Sequence, residues 1–129
     1  MSLDVSPSLL ALAERDEVAD ADFLATVRDS LPYAYRLVDD LTAELAATGA
    51  EFADNTVAPS DAERGQLLRA LASDSIRGAL ERHFSVKLAF QNCHRVAVFR
   101  PGAERTETYR KFTSPRAQLL NQSPELRDC

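Results

Sequence analysis

The stretch "LAFQNCHRVAVFRP", residues 88–101, sets a thiol beside an imidazole in the most apolar part of this 129-residue chain. Its texture breaks with what precedes it. In "VKLAFQ", Val86, Leu88 and Phe90 alternate with Lys87, Ala89 and Gln91, the period of a half-buried strand. "RVAVF" is equally rich in strand-forming residues, and Pro101-Gly102 marks a turn. Upstream the apolar spacing is helical. The chain therefore reads as α+β and predominantly helical, with two long helices and short flanking helices packed on a small antiparallel β element in the C-terminal half.

That reading also bears on Cys93 and His94. Neighbours in a strand point to opposite faces, so the thiol and imidazole would not touch. A Cys–His nucleophilic pair needs partners distant in sequence and close in space. The only other histidine is His83, and nothing around it signals such a pair. Cysteine is often buried without any chemical role, so Cys93 reads as structural. Two Cys and two His in the spacing His83-x9-Cys93-His94 fit no zinc pattern. The glycines at 49, 65, 78 and 102 are scattered and none precedes a lysine, which excludes a P-loop and a dinucleotide fingerprint. Catalytic, cofactor-binding and metal-binding residues are accordingly expected to be absent, and the chain is expected not to be an enzyme.

The first long helical pattern is "DADFLATVRDSLPYAYRLVDDLTAELAATGA", residues 20–50. Phe23, Val27, Leu31, Ala34, Val38, Leu41 and Leu45 form one face. Pro32 predicts a kink there, or a fresh helix starting at Ser30 or Leu31, and Gly49 ends the pattern. "EFADNTVAPSDAERG" reads as a loop. Ser60-x-x-Glu63 within it is a capping box that opens "DAERGQLLRALASDSIRGALERHF", whose stripe is Leu67, Leu71, Ile76, Leu80 and Phe84. Gly65 and Gly78 suggest a close helix crossing. Ser6-Pro7, Ser114-Pro115 and Ser123-Pro124 each place a capping serine before a proline at a helix start. "ERTETYRKF" within residues 101–113 is compatible with strand, loop or helix. Asp20, Asp22, Asp39 and Asp40 read as helix-start and solvent-facing carboxylates rather than a Mg²⁺ site.

Size and composition point to one globular domain over residues 1–129. No apolar run reaches the roughly 18 residues of a membrane span, and neither a secretory signal nor a disulfide framework is evident, so a cytoplasmic location is expected. The net charge of −5 conceals a division: residues 1–63 hold 3 Arg against 14 acids, and residues 64–129 hold 12 Lys and Arg against 6 acids. Such a split favours self-association or a charged partner.

Basic residues from Arg82 to Arg116 alternate with Phe84, Phe90, Phe99, Tyr109 and Phe112. Rings alternating with cations suit single-stranded nucleic acid. The acidic pI near 5.0 and the core-like spacing of the phenylalanines weigh against it. Arg and Tyr are also the residues that dominate protein–protein contacts. The expected partner-binding surface is His94, Arg95, Arg100, Tyr109, Arg110 and Lys111, with "LLNQSPELRDC" as a second candidate. A protein partner or homo-oligomer ranks first, and a nucleic-acid-binding module is the alternative.

Three blocks, "GQLLRALASDSIRGALERHF", "LAFQNCHRVAVF" and "QLLNQSPELRDC", resemble the actinobacterial signature proteins, small chains confined to actinobacteria. That resemblance implies a regulatory protein without catalytic residues. One paralogous branch, ParJ, is associated with the partition ATPase ParA, whose polymerisation it regulates, so a ParA-type ATPase in chromosome segregation and cell division is the partner it implies.

Overall fold

The computed structural model describes residues 3–92 and 95–122. Cys93, His94 and the Ser123-Pro124 cap lie outside the described residues. In chain order the elements are α1 (Pro7–Glu14), α2 (Asp20–Ser30), α3 (Pro32–Thr48), β1 (Phe52–Asp54), α4 (Asp61–Leu71), α5 (Asp74–Phe84), β2 (Lys87–Gln91) and β3 (Arg95–Phe99). A 3₁₀ turn (Ala103–Arg105), α6 (Glu107–Phe112) and α7 (Pro115–Leu120) follow. The fold is α+β, mostly helical, with a three-stranded antiparallel sheet in the order β1-β3-β2.

Pro32 does not kink a single helix. Leu31 ends α2 and begins α3, with proline at the first helical position of the latter. The N–H groups that α3 leaves without intrahelical partners are met from α4: Gln66 Oε1 accepts from Tyr33 N (2.8 Å) and Ala34 N (3.2 Å). Gly49 closes α3 in the left-handed conformation (φ 68°) that glycine adopts without steric cost. Arg100 adds a second cap there, its guanidinium donating to the carbonyls of Leu45 (3.3 Å) and Ala50 (3.1 Å).

Three expectations change. The long pattern over residues 61–84 is two helices, because the Ser73 hydroxyl accepts from Ile76 N (3.4 Å) and starts α5 afresh after Ala72. The capping box itself is present, with Glu63 N donating to Ser60 Oγ and Ser60 N donating to the Glu63 carboxylate. Gly65 and Gly78 mark no helix crossing; an added Cβ would meet only the arginine one turn ahead in the same helix. The stretch after Gly49 contains a strand, since Phe52, Ala53 and Asp54 pair with Phe99, Val98 and Ala97.

"LAFQNCHRVAVFRP" is a hairpin rather than one element. Leu88 faces Val98, Ala89 faces Ala97, and Gln91 faces Arg95. Strand alternation then divides the sheet into two faces. Ala53, Leu88, Phe90, Val96 and Val98 pack against α2–α5 in the main core, which also holds Val27, Leu31, Val38, Leu67 and Leu80. Phe52, Ala89, Ala97 and Phe99 form the other face and are covered by Tyr109 and Phe112 of α6. "ERTETYRKF" is thus resolved as 3₁₀ turn and helix.

Candidate binding cleft

Phe52, Asp54, Gln91 and Arg95 share the outer sheet face by strand alternation. α6 and α7 meet at a sharp turn beside them, where the Ser114 hydroxyl accepts from Ala117 N (3.1 Å) and Pro115 starts the second helix. α7 is tied to the end of β2 by amides: Asn92 N donates to Gln118 Oε1 (3.0 Å), while Gln118 Nε2 (3.2 Å) and Asn121 Nδ2 (3.1 Å) donate to the Asn92 carbonyl. Between helices and sheet lies an open cleft of about 590 Å³.

Its floor is apolar, from Phe52, Phe112, Ala117 and Leu120, and its cations are Arg95, Lys111 and Arg116. Arg95 lies 5.5 Å over the Phe112 ring and is ion-paired with Asp54. Lys111 pairs with Glu107 at 3.3 Å, both side chains well exposed, an interaction of little net strength that leaves the ammonium free to exchange partners. Arg116 is exposed and makes no ion pair among the described residues. Gln91 is only 4% exposed. Its Nε2 donates to the Phe112 carbonyl (2.9 Å), but its Oε1 has no hydrogen-bond donor among the described residues. A buried acceptor left unmet costs about 1–3 kcal/mol.

The six residues expected to form a partner surface separate. Arg95 and Lys111 come together in the cleft. Arg100 caps α3, and Tyr109 packs edge-on against Phe99 with centroids 5.1 Å apart. Arg110 is exposed on α6 outside the cleft lining, and His94 lies outside the described residues. Gln91, Phe52 and Arg116 were not among the six. Ser114-Pro115 could have flagged Arg116, which falls in the first turn of the helix they open. Phe52 carried no signal, because its short strand has no period of its own.

The rings between the cations are largely interior. Phe99 and Phe112 are buried in the outer cluster, and Phe84 and Phe90 pack against the main core. Other cations are engaged in pairs: Arg82 with Asp20 (3.5 Å), and Lys87 with Glu81 (3.6 Å) and Glu104 (3.7 Å). Asp20 and Asp22 occupy the first turn of α2, after Ala19 at the N-cap. No group of three or more His, Cys, Asp or Glu suited to a metal ion occurs among the described residues, and none of their helices is long and apolar enough to cross a membrane.

Fold and cleft define an α+β domain with a cationic, apolar-floored cleft on the outer face of its sheet. The chain belongs to the family named KH NucS shadow, described as "NucS shadow ORF", which matches residues 1–129. This finding overturns the resemblance to the actinobacterial signature proteins. The first quoted block coincides with α4–α5, where capping residues and core-facing leucines dominate the text and recur in unrelated chains, and most of the third lies outside the described residues. No curated protein and no solved structure matches the chain.

Proposed function

We propose that this chain is a non-enzymatic binding module whose working surface is the α6–α7 cleft, and whose partner is an acidic, partly apolar segment of polypeptide. The observation that carries this reading is the convergence of Arg95, Lys111 and Arg116 over Phe52, Phe112 and Leu120. Carboxylates would meet the rim cations, and apolar side chains would meet the floor. The Gln91 Oε1, without a donor among the described residues, would suit an N–H of the bound segment. ParA-type ATPases lose their place as the named partner, because they entered only through the resemblance now set aside. A cytoplasmic setting belongs to this reading and is supported by the sparse cysteines.

One observation favours a second reading. The family name carries the letters KH, and KH modules clamp single-stranded nucleic acid with a GXXG loop. Here α4 and α5 are joined through Ala72-Ser73 with no glycine. The rings that could stack on bases are mostly interior, which keeps nucleic acid second.

A fluorescent peptide alternating Glu and Leu, and a thymidine oligonucleotide of similar length, separate the two readings by anisotropy titration. The peptide is expected to bind, with affinity falling at least about tenfold, or about 1.4 kcal/mol, in Lys111→Glu/Arg116→Glu. Binding that ignores those substitutions, or no peptide binding, overturns the cleft reading. Tighter oligonucleotide binding with a steep salt slope moves the assignment to nucleic acid.

A further inference from the structure

A second groove complements the first. It runs beside α3, has a volume of about 320 Å³, and is lined by Glu44, Asp54 and Glu63 together with Tyr33, Leu41 and Val57. Asp54 is already paired with Arg95, so Glu44 and Glu63 supply the remaining negative charge. The Tyr33 hydroxyl registers this environment: burial first, and the Glu63 carboxylate second, raise its pKa above the usual 10.0 against an opposing effect of Arg36.

Exposed apolar side chains mark both surfaces. Val57, 77% exposed, lines the acidic groove. Leu119, 73% exposed, stands on α7 beside Leu120, which lines the basic cleft. These are the two most exposed large apolar side chains among the described residues. Val57 shares its groove with Glu44 and Glu63, while Leu119 follows Arg116 by about one turn of α7.

We propose that a second copy of this chain is the occupant of the cleft. The acidic groove of one copy, with Val57 in its lining, covers the basic cleft of the other, with Leu120 in its floor and Leu119 next to it in α7. This inference rests on the cleft reading above and names its partner. Contact would set Glu44 against Arg116 or Lys111 and remove Val57 and Leu119 from water together. A surface rich in both charge and exposed apolar atoms is what association of this kind requires. The imbalance between the acidic first half and the basic second half then acquires a role, as two halves of one self-complementary contact.

Charge reversal tests the proposal with the full chain, by sedimentation at about 0.05 M and about 0.5 M salt, between which screening grows severalfold. The unaltered protein is expected to sediment at twice the monomer mass or more at low salt and to shift toward monomer at high salt. Lys111→Glu/Arg116→Glu and Glu44→Lys, each checked for unchanged circular dichroism, are expected to be monomeric alone. Mixed in equal amounts, they restore the complement and return to at least twice the monomer mass. A monomeric natural chain, assembly that survives both reversals, or a mixture that stays monomeric overturns the proposal. If the chain is monomeric while the Glu/Leu peptide still binds the cleft, self-association fails and the cleft reading stands. If neither peptide nor second copy engages the cleft, both fall.

Discussion

A Cβ built on Gly78 meets only Arg82 Nη1, at 3.4 Å, and that guanidinium is the mobile end of a flexible side chain. Glycine inside a helix gives up about 1 kcal/mol relative to alanine. Gly78→Ala is therefore expected to stabilise the protein by about that amount and to raise its Tm by about 3–5 °C, measured by thermal unfolding. A lowered Tm would show that space around Gly78 is tighter than its neighbours indicate. Gly49 is the opposite case, because its φ of 68° strains any side chain, and its place at a helix end was readable from the break in apolar period. Tyr33 was not readable in this way, because its burial comes from packing on the main core and the Glu63 that acts on it stands on α4. Its raised pKa means the folded chain holds this proton where the unfolded chain has released it. The resulting stability is complete below about pH 10 and is lost as pH rises through the higher folded value. Tyr33→Phe should decline in stability less steeply than the natural protein above about pH 10 when urea midpoints are compared. Equal slopes would refute the assignment.

Among the elements, those with a period and a local stop signal were legible. α3 shows both: a stripe from Ala34 to Leu45, proline at its start and glycine after its end. Local chemistry fails where a partner from elsewhere decides. β1 is three residues of "EFADNTV", and only its pairing with β3 makes it a strand. The gap between α4 and α5 was hidden because Leu71, Ile76 and Leu80 keep nearly the same apolar rhythm across it, while Ser73 does the interrupting. The cleft divides along the same line. Arg95 and Lys111 could be named as cations from text, but choosing them over Arg100 needed the sheet register and the fold-back of α3, which turn Arg100 toward helix carbonyls. Gln66 is the sharpest case, an unremarked polar residue that supplies both N–H contacts at the start of α3. Gln66→Ala should cost about 1–2 kcal/mol, in the range of a lost N-cap. Amide exchange should quicken at Tyr33 and Ala34 before it does at Val38. Unchanged exchange at the first two would mean water replaces the glutamine without penalty.

The whole molecule stands or falls on a sheet buried from both sides. Its inner face joins a cluster that reaches from Val27 in α2 to Val98 in β3, so the N-terminal helices and the hairpin share one core. Its outer face depends on Phe99 and Phe112, whose ring centroids lie 5.9 Å apart, and on the short α6 that delivers the second ring. Two clusters separated by a single sheet have no independent route to unfold: exposing the outer face removes packing from Ala97 and Phe99, whose strand carries Val96 and Val98 inward. Calorimetry is accordingly expected to show one transition, with an unfolding enthalpy of about 90 kcal/mol for 129 residues at about 0.7 kcal/mol per residue and with calorimetric and van't Hoff values in agreement. Phe112→Ala should move that same transition downward by about 3–5 kcal/mol, as truncating a buried aromatic does. It should also weaken the cleft, since Arg95 loses the ring beneath it and the apolar floor loses one of its members. If instead a second, lower transition splits off while the main one holds its position, then α6 and α7 form a separable flap, and the cleft is a hinge between two units rather than a groove in one.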